Sequence, residues 1–128
     1  MLKEEFDNMV EQHQLFLAKN GGAKADFSGK DLRGEDFSNL DLRFANFSRA
    51  NLSRSNFKNT KLQGADFKSA NLSFSSLEFA NAGGADFRDA IMIATNLIST
   101  DLTRANLIGC MLPFVHTLDL STSRKKGE

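Results

Sequence analysis

Two hydrophobic periods divide the chain. From Leu2 to Lys19, one stripe recurs at spacings of three and four, through Leu2, Phe6, Met9, Val10, His13, Phe16 and Leu17. That is the spacing of one face of a helix. The face between is polar, with Lys3, Glu4, Asp7, Glu11, Gln12 and Gln14, and Gly21-Gly22 supplies a stop. From Ala25 to Leu112 the period becomes five and never slips. Steps of five from Phe27 give Phe27, Leu32, Phe37, Leu42, Phe47, Leu52, Phe57, Leu62, Phe67, Leu72, Leu77, Ala82, Phe87, Met92, Leu97, Leu102, Leu107 and Leu112, all apolar. The residue two places earlier is usually small, as at Ala45, Ala65 and Ala85, and the place between is Asp or Asn in fourteen of eighteen units.

A period of five is neither the 3.6 of a helix nor the 2 of a strand, so the chain must turn in every unit. Short self-similar units that cannot bury an apolar face alone predict a solenoid, each coil covered by the next. The Asp/Asn place fits, because a short polar side chain bonds the backbone a residue or two on and fixes a turn. These carboxylates are corner pieces before they are chemistry.

Runs such as Ala45-Asn46-Phe47-Ser48-Arg49 and Ala105-Asn106-Leu107-Ile108-Gly109 resemble the A(D/N)LXX unit of the pentapeptide-repeat family. The resemblance implies an all-β solenoid, a right-handed quadrilateral β-helix with four units per coil, its central and small residues pointing inward. Eighteen units give about four and a half coils, and at one strand spacing per coil a rod roughly 21 Å tall. Sorted by twenty, the central residues form a column of Phe27, Phe47, Phe67, Phe87 and Leu107 and another of Leu32, Leu52, Leu72, Met92 and Leu112. Phe37 and Phe57 begin the third column and Leu42 and Leu62 the fourth. Rings on opposite walls with leucines between them suit a square interior at native density.

The expected organisation is a capping α-helix over residues 1–22, the β-helix over 23–114 and a partly disordered tail over 115–128. An open coil end exposes unpaired backbone and raw core. The helix is expected to close the N-terminal end, with Phe6, Met9, Phe16 or neighbours covering Phe27 and Leu32. The first coil departs from the unit at Lys30, Glu35 and Leu40, where small residues belong. A buried charge needs a partner, so Lys30 and Glu35 should meet each other or the helix edge, or the coil splays. Lys61, Ser76, Ile91 and Met111 replace the corner Asp/Asn. Ala82-Gly83-Gly84 thins one wall, with a local bend expected near Phe79 or Asn81.

Composition narrows the function. The 128 residues carry zero formal net charge and 41% hydrophobic residues, which gives no bulk attraction to nucleic acid or acidic lipid. Twelve Phe with no Trp or Tyr suggest a core of apolar rings that need no hydrogen-bond outlet. Cys110 stands at a small inward place, which predicts a buried, inert thiol. The first residues are acidic, and no apolar run could span a membrane; the expected location is cytoplasmic, with no membrane partner.

Outward places turn apolar toward the C-terminal half. Phe74, Ile91, Ile93 and Ala94 share one column with Met111 and Phe114 above, and Phe79, Ile98 and Ile108 lie on neighbouring walls. Such a patch usually marks a contact. The segment from Pro113 to Leu120 folds over it with Phe114, Val115, Leu118 and Leu120, or two copies pair through this end as a homodimer, or, third, a different protein binds it.

Catalysis finds little support. His13 and His116 have no metal-ligand spacing, no Gly-rich phosphate loop precedes a helix, and neither metal nor cofactor is implied. The expected role is a non-enzymatic protein-interaction scaffold. The resemblance also implies an alternative, because some members protect DNA gyrase by imitating duplex DNA in a topoisomerase's DNA site. A mimic should present one sign to a DNA channel. Yet Ala25–Leu112 holds ten acidic and ten basic residues, and Asp26, Asp66, Asp86 and Asp89 share a wall with Arg49, Lys68 and Arg88. Direct nucleic-acid binding is weaker still, since the basic residues are dispersed.

Overall fold

The structure is a computed structural model and describes residues 1–113. Phe114 and the tail over 115–128 lie outside the described residues. The first element is a helix, α1, Lys3–Leu17, with Glu4 and Glu5 in its first turn, where carboxylates complement the positive end of the helix dipole. It ends where the glycines stop it. The Ala23 N–H donates back to the Gln12 carbonyl at 3.1 Å, and a Cβ on Gly22, at φ +71°, would collide with that same carbonyl and with Leu15.

From Asp26 to Ile91, each residue at the Asp/Asn place bridges in parallel to the residue twenty positions on: Asp26 to Asn46, Asp31 to Asn51, Asp36 to Asn56, Asp41 to Lys61, and so upward to Ile91 with Met111. The ladder repeats three bonds. The Phe27 N–H donates to the Asn46 carbonyl (2.7 Å), the Gly29 N–H to Ser48 (2.9 Å), and the Asn46 N–H back to Ala25 (3.0 Å). These bridges stay isolated, and no longer strand forms among the described residues. The all-β expectation is corrected in that respect: a turn every five residues leaves one paired residue per wall.

Each turn closes from the small residue's N–H to the central residue's carbonyl, as in Lys30 to Phe27 (3.2 Å) and Ala65 to Leu62 (3.0 Å). The fifth place has positive φ in unit after unit while the fourth does not, which defines type II turns. Gly29, Gly34, Gly64, Gly84 and Gly109 take that place freely. Phe44 (φ 69°), Phe74 (φ 59°) and Phe79 (φ 60°) take it as well, although the left-handed conformation costs a side chain about 1–2 kcal/mol.

The core is two columns of rings set edge to face. Phe27, Phe47, Phe67 and Phe87 stack at 5.1, 4.8 and 4.9 Å between centroids, and Phe37 stacks on Phe57 at 4.6 Å. The columns meet near right angles, as Phe47 and Phe57 do at 85°. All of these rings are fully buried, with Leu32, Leu52 and Leu72 beside them. Where an inward place holds Thr60, Thr95 or Thr100, the hydroxyl donates to the carbonyl of Phe37, Leu72 or Leu77 in the coil before, so no buried hydroxyl there is unpaired. The expected bend at Ala82-Gly83-Gly84 does not occur. Ala82 is fully buried, and its N–H and that of Gly84 keep their ladder bonds to Asp101 and Thr103 at 2.8 Å.

α1 lies against the first coil. The Phe6 ring sits 5.4 Å from Phe37 and 6.2 Å from Phe27, and Met9 also packs on the core. Phe16 does not cover the core. It is 38% exposed and stacks on the His13 ring instead, because the fully buried member of the stripe is His13. Lys30 reaches Glu5 of the helix at 3.8 Å rather than Glu35, and the first coil keeps its turn bonds without splaying.

Candidate interaction surface

The corner carboxylates do structural work. The Oδ1 of Asp26, Asp36, Asn46 and Asp66 accepts the N–H two residues on, at 2.9 to 3.0 Å. Bonds from the Ser28 hydroxyl and N–H hold the Asp26 carboxyl below the usual carboxylate range. Ser76 does the same job with its hydroxyl oxygen at 3.3 Å. Lys61 and Ile91 bring no side-chain oxygen to this place, and after Met111 the next acceptor is unnecessary because Pro113 has no N–H.

Surface charge is largely cancelled within each wall. Asp31 pairs with Arg33 (2.7 Å), Asp41 with Arg43 (2.8 Å), Asp86 with Arg88 (2.7 Å) and Asp66 with Lys68 (3.8 Å), each cation two residues beyond its acid. Across coils, Lys58 meets Glu78 at 3.5 Å. The guanidinium held against Asp31 lowers the carboxyl's affinity for protons. Exposed pairs of this kind stabilise little, but they leave no wall of one sign.

The wall above Asn71 is apolar. Phe74 (56% exposed), Ile93 (46%) and Met111 (53%) lie on it, with Phe79 and Ile98 around the next corner and Ile108 beyond the opposite corner. Ile91 is half-buried and forms the base of this wall rather than its outer surface. Ile93, Ala94, Leu112 and Pro113 line a shallow cleft of about 230 Å³. Arg54 stands over the Phe74 ring at 4.9 Å, a cation-π contact at the lower border of the patch. Phe114, expected to complete the column, lies outside the described residues, as do Val115, His116, Leu118 and Leu120.

Sequence reasoning missed Phe44. It is 52% exposed, and a Cβ on Gly64 in the coil above would strike its ring. The signal was available: glycine or asparagine recurs at the fifth place (Gly29, Gly34, Asn39, Asn59, Gly64), and a side chain at a left-handed turn position projects outward. Cys110 is half-buried, its thiol 2.9 Å from the Phe87 carbonyl, and burial pushes its pKa up to about 12. No group of His, Cys, Asp and Glu among the described residues could hold a metal. Among the described residues, no helix is long and apolar enough to cross a membrane.

A family model described as Pentapeptide repeats (8 copies) matches residues 23–59, 36–73, 50–89 and 70–109. The chain belongs to the pentapeptide-repeat family. Members of this family wind as right-handed quadrilateral β-helices and are generally non-catalytic scaffolds. Among solved structures, the chain is similar to the pentapeptide repeat protein Rfr23 from the cyanobacterium Cyanothece 51142, at 23% identity and TM-score 0.52, over 86% of this chain and 98% of that one. It is also similar to alr5209, a pentapeptide repeat protein from Nostoc Pcc 7120 (24%, TM-score 0.45, 91% and 94%), and to QnrB1, a plasmid-mediated fluoroquinolone resistance protein (16%, TM-score 0.38, 80% and 94%). No curated protein matches the sequence. The first of these similarities supports the fold alone, and the other two carry no functional argument.

Proposed function

We propose that this pentapeptide-repeat protein is a cytoplasmic, non-catalytic scaffold that works by protein-protein contact, and that its contact surface is the apolar wall of the C-terminal half, used first for pairing with a second copy. The observation that carries this reading is the run of exposed Phe74, Ile93 and Met111 on one wall, with Phe79 and Ile98 at its edge. A soluble chain seldom leaves such a patch free, and a two-fold contact would bury it once on each partner.

The test is solution mass by light scattering on the intact chain and on Ile93→Asp. A dimer that falls to a monomer on substitution supports pairing through the wall. A monomer in both cases would overturn it and direct the search to another protein or to the chain's own tail. Imitation of duplex DNA ranks second, because the paired carboxylates of Asp31, Asp41, Asp66 and Asp86 deny the rod a continuous negative face. Inhibition or drug protection of gyrase supercoiling at low-micromolar protein would reverse that order.

A further inference from the structure

The buried histidine of α1 occupies a place that the repeat itself would otherwise fill. In every higher coil, the carbonyls of the Asp/Asn place and of the fourth place accept N–H groups from the coil below, as Lys61 does from Leu42 (2.8 Å) and Gln63 from Phe44 (3.0 Å). The first coil has no coil below. On its fourth wall two side chains of α1 act instead: Gln14 Nε2 donates to the Asp41 carbonyl, and His13 Nε2 bonds the Arg43 carbonyl, both at 2.9 Å. His13 Nδ1 then accepts the Ala25 N–H at 2.9 Å. A carbonyl can only accept and an N–H can only donate, so this pair of bonds requires the neutral ring with its proton on Nε2.

We infer that His13 is an acid-sensitive latch: protonation of its Nδ1 breaks the bond to Ala25 and releases α1 from the end of the β-helix. The added proton would point at the Ala25 N–H inside a fully buried site. The charged groups facing the ring are Lys24, Arg43 and Asp41. Two are cations, and the carboxylate is already paired with Arg43 at 2.8 Å. Burial, the leading cause, holds the imidazole below its ordinary value of 6.5. The sign follows from that depression. The latch's contribution is fully present above 6.5 and is lost as pH falls through the lowered folded value. Release uncovers Phe27 and Phe37, the rings beneath Phe6, and returns the carbonyls of Asp41 and Arg43 to solvent.

Amide hydrogen exchange on the full chain reads the latch at Ala25 and the coil interior at Phe47, each referenced to its intrinsic rate, alongside the NMR titration of the His13 ring. Between the ordinary and lowered values, Ala25 protection should fall about tenfold per pH unit, and at each pH it should lie well below that of Phe47. In His13→Gln, whose amide offers a donor and an acceptor without titrating, Ala25 protection should not depend on pH. Equal protection at Ala25 and Phe47 would mean that Ala25 opens only by global unfolding and would overturn the latch, as would flat Ala25 protection through the ring's titration. If the Gln variant leaves Ala25 unprotected even at pH 8, the two protection levels of the unaltered chain still decide.

Discussion

At the scale of the residue, each unit divides its labour among five positions, and the consequences of changing one differ by position. Phe67 lies between Phe47 and Phe87, stacked at 4.8 and 4.9 Å, and touches the neighbouring column edge-on through Phe57. Phe67→Ala should cost about 3–5 kcal/mol in denaturant unfolding, because the stack above and below prevents the hole from closing. A cost under about 1 kcal/mol would contradict that packing. The corner place offers the opposite test. Asp36 supplies an acceptor to the Ser38 N–H at 2.9 Å, whereas Lys61 supplies none to Gln63. Lys61→Asn should therefore stabilise the chain by about 0.5–1.5 kcal/mol, read as a raised unfolding midpoint with unchanged m. Both sets of residues were legible in the sequence, since burial and turn chemistry repeat at a fixed spacing. The fifth place was less legible. Its demand is a backbone angle, which Phe44, Phe74 and Phe79 adopt at some cost where glycine adopts it freely, so residue type only half reports it.

At the scale of the element, the helix could be read as amphipathic, but its seat could not. Periodicity names a face without saying which member of that face goes deepest. The largest apolar residue near the stop, Phe16, was a reasonable choice for the core, yet His13 is the one buried. The reason is that the coil end offers more than an apolar floor. It also offers carbonyls at Asp41 and Arg43 that need donors, and at that position an imidazole and an amide serve better than a phenyl ring. Hydrophobic pattern carries no information about such unpaired backbone groups. They exist only once the coil has formed. The departures at Lys30 and Glu35 have a similar origin. An inward place in the first coil faces the helix rather than another coil, so Lys30 is half-exposed and reaches Glu5.

At the scale of the whole molecule, the two ends are unlike. The lower end presents carbonyls, including those of Asp26, Ser28, Asp31 and Arg33, which in higher coils would be bonded from beneath. Toward the upper end the described ladder runs to Met92 and Met111, bonded at 2.8 Å, and the chain continues beyond it. α1 covers the first of these ends. Deleting residues 1–22 in an Ile93→Asp background should therefore produce species whose light-scattering mass climbs with concentration beyond a dimer, and a mass that stays monomeric would mean the lower end is not adhesive. A row of carbonyl acceptors is complementary to a row of N–H donors and not to itself. Two rods meeting head to head would set acceptors against acceptors, and only a head-to-tail meeting would extend the ladder. Any such stack would have a direction, like a thread cut on a bolt, and the fifteen-residue helix Lys3–Leu17 lies at the end where it would begin.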